Sequence, residues 1–293
     1  MTKPKANLKE LIGNALSPLT GLLLGLQVAL VVTGGAVRLT KSGLGCPTWP
    51  KCTPESMAPV ANQAEGALRS WIEFGNRLFT FVLLAAAIAT VLSIYFSHRR
   101  DLRKFGFTQI LGIFGQGVLG GITVLTHLNP AAVAGHFLLS IALIASATVL
   151  HSRRGEPAVI KTSPHSARSA IQIALTLVVL ALGTIVTGAG PHAGDEKAPR
   201  FNIRIEDAAL FHSVAVIVLI AFTVFMYFTK NLARITKKRI RIFLAIALAQ
   251  GALGYIQYLL RVPELLVAAH LFGSTLVWIA ALRIRLSVVT QSI

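Results

Sequence analysis

Apolar residues gather into eight long blocks along this chain, at approximately 18–37, 71–96, 106–126, 131–150, 168–189, 208–229, 241–260 and 264–285, with polar residues collected between them. An α-helix needs roughly 20 apolar residues to cross the hydrocarbon core of a bilayer, and every block meets that length. The pattern predicts an all-α integral membrane protein with eight transmembrane helices. Composition points the same way: 54% of the residues are hydrophobic, 13% are charged, and the mean hydropathy of +0.68 is far from that of a soluble domain.

Part of the pattern occurs twice. The third and fourth blocks contain Gln116-Gly117-Val118-Leu119-Gly120-Gly121-Ile122, then Val133-Ala134-Gly135-His136, then Ser140. The seventh and eighth contain Gln250-Gly251-Ala252-Leu253-Gly254-Tyr255-Ile256, then Val267-Ala268-Ala269-His270, then Ser274, offset by 134 residues throughout. Hydrophobic bias alone does not produce such fixed spacing across two helices, so the chain reads as an internal duplication. Val32-Thr33-Gly34-Gly35 at the end of the first block and Val186-Thr187-Gly188-Ala189 at the end of the fifth extend it. Four crossings per copy make the copies parallel, as two pseudo-twofold-related four-helix bundles side by side. The expected division is an N-terminal half over 1–150, a cytoplasmic linker over 151–167 and a C-terminal half over 168–293. The glycines at 112, 115, 117, 120 and 121, and at 251 and 254, read as faces for close helix packing.

The net charge of +17 raises the question of nucleic acid, but its distribution is topogenic. With the N-terminus inside, 19 of the 28 Lys and Arg residues fall on the inner side: Lys3, Lys5 and Lys9, the loops around Arg99 to Lys104, Arg153 to Arg168 and Lys230 to Arg241, and Arg283 and Arg285. The outer loops hold 8, and Arg77 lies within a helix. The positive-inside rule puts both termini in the cytoplasm, and no nucleic-acid partner is expected. The first block lacks a small-residue cleavage site and a mitochondrial presequence pattern, which favours a retained helix in a bacterial plasma membrane.

His136, His212 and His270 lie near the outer ends of the fourth, sixth and eighth blocks, at a depth where an imidazole needs a partner. Two imidazoles facing across a bundle make an axial pair for haem, so His212 and His270 are read as one iron site. Zinc fits less well, because neither half offers a third or fourth ligand at that depth. In the first half the position of His212 is taken by Asn76, a weak iron ligand, in the run Trp71-Ile72-Glu73-Phe74-Gly75-Asn76-Arg77. A haem held there by His136 alone has an open face, as oxygen chemistry requires. One electron-transfer haem and one reacting haem follow.

Glu73 stands one turn from Asn76 on the same helix face, with Arg77 at i+4. One reading is a structural salt bridge; the other puts Glu73 at the reacting edge as a base or cation stabiliser, with Arg77 or Arg38 paired to a haem propionate. Cys46 and Cys52 share the first outer loop, where an oxidising environment favours a disulfide over free or metal-binding thiols.

These residues together resemble haem A synthases. The resemblance rests on Gly34 through Arg38, Ser42-Gly43-Leu44-Gly45-Cys46-Pro47-Thr48-Trp49-Pro50, the Glu73 to Arg77 segment, Gly188-Ala189-Gly190-Pro191-His192-Ala193-Gly194-Asp195 and the two Gln-Gly…His repeats. It covers nearly the whole chain and is most like actinobacterial members. It implies haem b between His212 and His270 in the C-terminal half, and substrate haem O in the N-terminal half, with His136 as its ligand. It also implies Glu73 as the essential glutamate and a Cys46–Cys52 disulfide. The implied reaction oxidises the C8 methyl of haem O, through successive hydroxylations, to the formyl group of haem A for terminal oxidases. Haem O synthase, oxidase assembly proteins and membrane lipid are the implied partners. Asn76 departs from the commonest pattern, a second histidine. Two readings without turnover stay open: a non-catalytic haem b membrane cytochrome, which has no use for Glu73, and a haem-binding transporter or assembly factor.

Overall fold

The computed structural model of the chain describes residues 12–155, 158–160 and 163–292, so Lys3, Lys5, Lys9 and Lys161 of the inner-side count lie outside the described residues. Eight helices among the described residues are long and apolar enough to cross a membrane. In chain order they are α1 (Leu16–Leu39), α2 (Ala67–Phe96), α3 (Arg103–Leu125), α4 (Pro130–Ser152), α5 (Ser166–Ala189), α6 (Ile205–Tyr227), α7 (Arg234–Leu259) and α8 (Glu264–Val289). α2 and α7 begin earlier than the apolar blocks that announce them. The first turns of α7 carry Arg234, Lys237, Lys238, Arg239 and Arg241, where hydropathy ends but backbone hydrogen bonding does not. Long basic side chains can run along a helix and keep their heads in water, so a helix outlasts its apolar stretch. A short antiparallel pairing of 158–160 with 290–292 ties the linker to the C-terminal end, a small addition to an otherwise helical fold.

Each half closes the same ring of neighbours. α1 packs on α2 and α4, and α3 on α2 and α4; α5 packs on α6 and α8, and α7 on α6 and α8. The halves meet through α4 with α8, α1 with α8, and α4 with α5. Exchanging the halves leaves this pattern unchanged, in keeping with the pseudo-twofold relation that the sequence repeat implies. The repeat also reaches backbone detail that identical residues do not encode. α3 ends at Leu125 and α7 at Leu259, and α4 and α8 begin at Pro130 and Glu264, both 134 residues apart. Between them the same turn recurs, closed by Leu128 N to Thr123 O and by Val262 N to Gln257 O, both 2.7 Å. Its two left-handed residues are His127 and Leu128 (φ 50° and 62°) in one copy, Arg261 and Val262 (59° and 62°) in the other. No glycine relieves either turn, and a β-branched residue in this region costs on the order of 1 kcal/mol. His192 Nε2 donates to the Val262 carbonyl at 2.8 Å and holds the second turn in place.

Most of the largest fully buried side chains lie towards the end of each bundle opposite the histidines. Leu16, Leu23, Leu83, Ala87, Ile94, Leu102 and Leu150 fill the opposite end of the first bundle. Leu219, Met226, Ile240, Phe243, Trp278, Ala281 and Ile284 do so in the second, joined by Ile141 and Ile144 from α4. Trp278 Nε1 donates to the Ile141 carbonyl at 2.8 Å, binding the two halves through a buried polar contact.

Candidate functional site

His136 and His270 each sit six residues into their helices, and His212 seven, which puts the three rings about 9–10 Å beyond the helix starts. Each ring rests on a glycine of the preceding helix. A Cβ built at Gly120 would lie 3.5 Å from His136 Cε1, at Gly183 3.4 Å from His212 Cε1, and at Gly254 3.2 Å from His270 Cε1. These glycines do more than let helices approach: they clear the space in which the imidazoles stand.

His212 donates from Nδ1 to the Val179 carbonyl at 3.1 Å, which fixes the ring and leaves Nε2 free. That is the arrangement of a metal-ligating histidine, whose second nitrogen is anchored to a carbonyl or carboxylate. Nδ1 of His136 and Nδ1 of His270 are buried with no partner. An orphaned buried polar atom costs about 1–3 kcal/mol, so these rings are short of a partner. Among the described residues no cluster of three or more His, Cys, Asp or Glu side chains could hold a bare metal ion. A prosthetic group that brings its own equatorial ligands to the iron fits the donor set; a zinc site does not.

On α2, Asn76 Oδ1 accepts from Thr33 Oγ1 of α1 at 2.8 Å. The site's backbone side is set by Gln116, whose Nε2 donates to Ser140 Oγ at 2.7 Å and to the His136 carbonyl at 3.1 Å. Neither Thr33 nor Gln116 stood out as a site residue in the sequence, although Gln116 belongs to the repeat.

Glu73 is 6% exposed and held by three donors. Arg77 reaches its Oε1 at 2.6 Å from Nη2 and 3.2 Å from Nε, and the Cys46 amide reaches Oε2 at 2.7 Å. Arg77 further donates to the carbonyls of Cys46 and Thr48 from Nη2, and of Pro50 and Lys51 from Nη1. All three of its nitrogens are therefore engaged with Glu73 and the first outer loop, and a propionate would have to displace one of these contacts. The loop itself is closed by the Cys46–Cys52 disulfide, with Cα atoms 4.3 Å apart. Gly45 lies so close to α2 that a Cβ would come 2.5 Å from the Arg69 carbonyl oxygen, and the Trp49 indole covers Gly121 of α3. Disulfide, arginine and indole together press the loop down over the first bundle.

The sequence model of the family described as cytochrome oxidase assembly protein (COX15-CtaA) matches residues 18–198, more than half of the chain. The chain belongs to this family. It is also similar to curated proteins named Heme A synthase. That of Azorhizobium caulinodans is 28% identical over 314 aligned residues, covering 88% of this chain and 89% of the relative. For that of Geobacillus kaustophilus the figures are 28% over 145 residues, covering 48% and 44%. For that of an Exiguobacterium species they are 32% over 130 residues, covering 43% and 41%. The chain thus spans less than half the length of the last two.

In this member of the cytochrome oxidase assembly protein family, Arg38 leaves the last turn of α1 and donates from Nη2 to the Thr187 carbonyl of α5 at 2.7 Å, bridging the two halves. Beyond it the loop between α5 and α6 folds over the seam, and Gly43 N donates to the Gly194 carbonyl at 2.9 Å. Lys41 beside Glu196 holds that exposed carboxyl below the usual carboxylate range.

Proposed function

We propose that this chain is a haem A synthase of the bacterial plasma membrane with both termini cytoplasmic, oxidising the C8 methyl of haem O to the formyl group of haem A. Family membership supports the reading, and one structural observation carries it: His212 is anchored through Nδ1 to the Val179 carbonyl with Nε2 free, and its ring, like those of His270 and His136, stands against a glycine of the preceding helix. On this reading His212 and His270 hold haem b in the C-terminal half, and His136 holds haem O in the N-terminal half. Haem O synthase and oxidase assembly proteins are its proposed partners.

A bound haem supplies electron transfer and oxidative chemistry at iron; the chain supplies placement, dryness and charge. His136 sets the substrate's position along the bundle. Asn76, already accepting from Thr33, would contribute no strong ligand to a haem held by His136. The clasped outer loop with Trp49 closes the site against water. Glu73, fixed by Arg77 and the Cys46 amide, keeps an acceptor position for a proton from the methyl being oxidised, or stabilises positive charge there. Arg77, by its contacts, positions Glu73 and the loop; Arg38 is the cation left for a propionate.

The test is to express the chain beside haem O synthase in a host that makes no haem A, and to extract the haems. Haem A is expected. Only haem B and haem O would remove the assignment. Glu73→Ala is expected to abolish haem A while haem b is retained; unchanged function in that variant would support a carrier without turnover.

A further inference from the structure

Aligned on Thr33-Gly34 and Thr187-Gly188, α1 runs about one turn further than α5, and the extra turn carries Arg38. Arg38 opens onto a cavity of about 250 Å³ at the seam between the halves, lined also by Lys41, His192, Asp195, Glu196 and Arg200. Most of these groups are already paired. Lys41 and Glu196 form an ion pair at 2.7 Å, Asp195 Oδ1 accepts from the Lys197 amide, and His192 is bound to the Val262 carbonyl. Arg200 donates from Nη2 to the Pro191 carbonyl at 2.7 Å, but its Nη1 is buried with no partner. Burial holds the Arg200 guanidinium below its ordinary value.

Two guanidiniums thus face one small cavity, and among the described residues neither is paired with a carboxylate. Like charges in a confined space repel, and an unpaired donor at Arg200 adds to the cost. A planar oxyanion with two acceptor oxygens relieves both, because the guanidinium fork matches a carboxylate in shape and charge. Five residues inward on α1 from Arg38, about 7.5 Å along the axis, Thr33 binds Asn76 at the first-half site. A carboxylate-bearing group bound there would lie about one to two helical turns along α1 from this seam.

We propose that Arg38 and Arg200, from the two halves of the chain, form a two-armed receptor for a propionate carboxylate of the haem in the N-terminal half. The inference rests on the haem reading given above and adds Arg200 to it. The test titrates the purified chain with iron protoporphyrin IX and with its dimethyl ester, whose carboxylates are blocked, following the high-spin band. The wild type is expected to prefer the free acid by about tenfold, as one charge-assisted contact implies. Arg200→Gln, which leaves Arg38 alone, is expected to lose most of the preference, and Arg200→Lys, which keeps the charge without the fork, to retain more of it. The lysine variant carries the test should the glutamine variant fail to fold. Equal affinity of the wild type for acid and ester overturns the proposal and leaves the haem reading intact. So does an Arg200→Gln protein that keeps the preference but loses tightly bound phospholipid phosphorus, which assigns the cavity to a lipid headgroup. A chain that takes up neither porphyrin overturns the haem reading and this inference with it.

Discussion

Asn76 is the residue at which the two halves part chemically. Its amide is held by Thr33, whereas in the second half the His212 ring is anchored to Val179. On the proposed haem reading, an imidazole is a far stronger iron ligand than an amide, so Asn76→His is expected to convert a haem bound in the first half from high-spin towards low-spin. The absorption and paramagnetic resonance spectra check this, and an unchanged high-spin signal would count against single-histidine ligation. Gly254 gives a second prediction at this scale. Its Cβ position is only 3.2 Å from the His270 ring, and the preceding helix cannot retreat without unpacking. Gly254→Val should push the ring aside and lower the low-spin haem b content by about tenfold or more, leaving uptake in the first half unchanged.

Between α1 and α2, structure is made by a loop rather than a helix. The segment from Cys46 to Cys52 is short, disulfide-closed and carries few apolar residues, so its position depends on Arg77 reaching four of its carbonyls and on Trp49 covering Gly121. Arg77→Gln removes these contacts and leaves Glu73 buried without its cation. The expected cost is about 2–4 kcal/mol, visible as a lower melting temperature in detergent and as faster tryptic cleavage after Lys51. A variant as stable and as resistant as the wild type would show that the loop is held elsewhere. The helices differ from this loop in origin. They follow from apolar length, and their ends drift from the hydropathy pattern by a few residues, most at α7, which basic side chains extend from Arg234.

For the whole molecule, the alternation of basic loops makes orientation a testable property. Phosphatase fused to the C-terminus should be inactive and phosphatase inserted in the first outer loop active, since the enzyme folds only outside; the reverse pattern would invert the proposed topology. Eight crossings, the 134-residue repeat and the common depth of His136, His212 and His270 were all legible in the chain, and so was the pairing of Cys46 with Cys52 as one of two readings. These features are local or periodic: bilayer thickness fixes the length of a span, and a repeat fixes equivalent positions before any contact forms. The partners of the site residues were not legible. Val179 offering its carbonyl to His212, Thr187 holding Arg38, Arg77 turned to the loop and Arg200 left with an unpaired nitrogen join positions far apart in sequence. Side-chain direction in a helical bundle is set by how helices rotate and loops fold over their ends, and only the packed structure specifies that rotation.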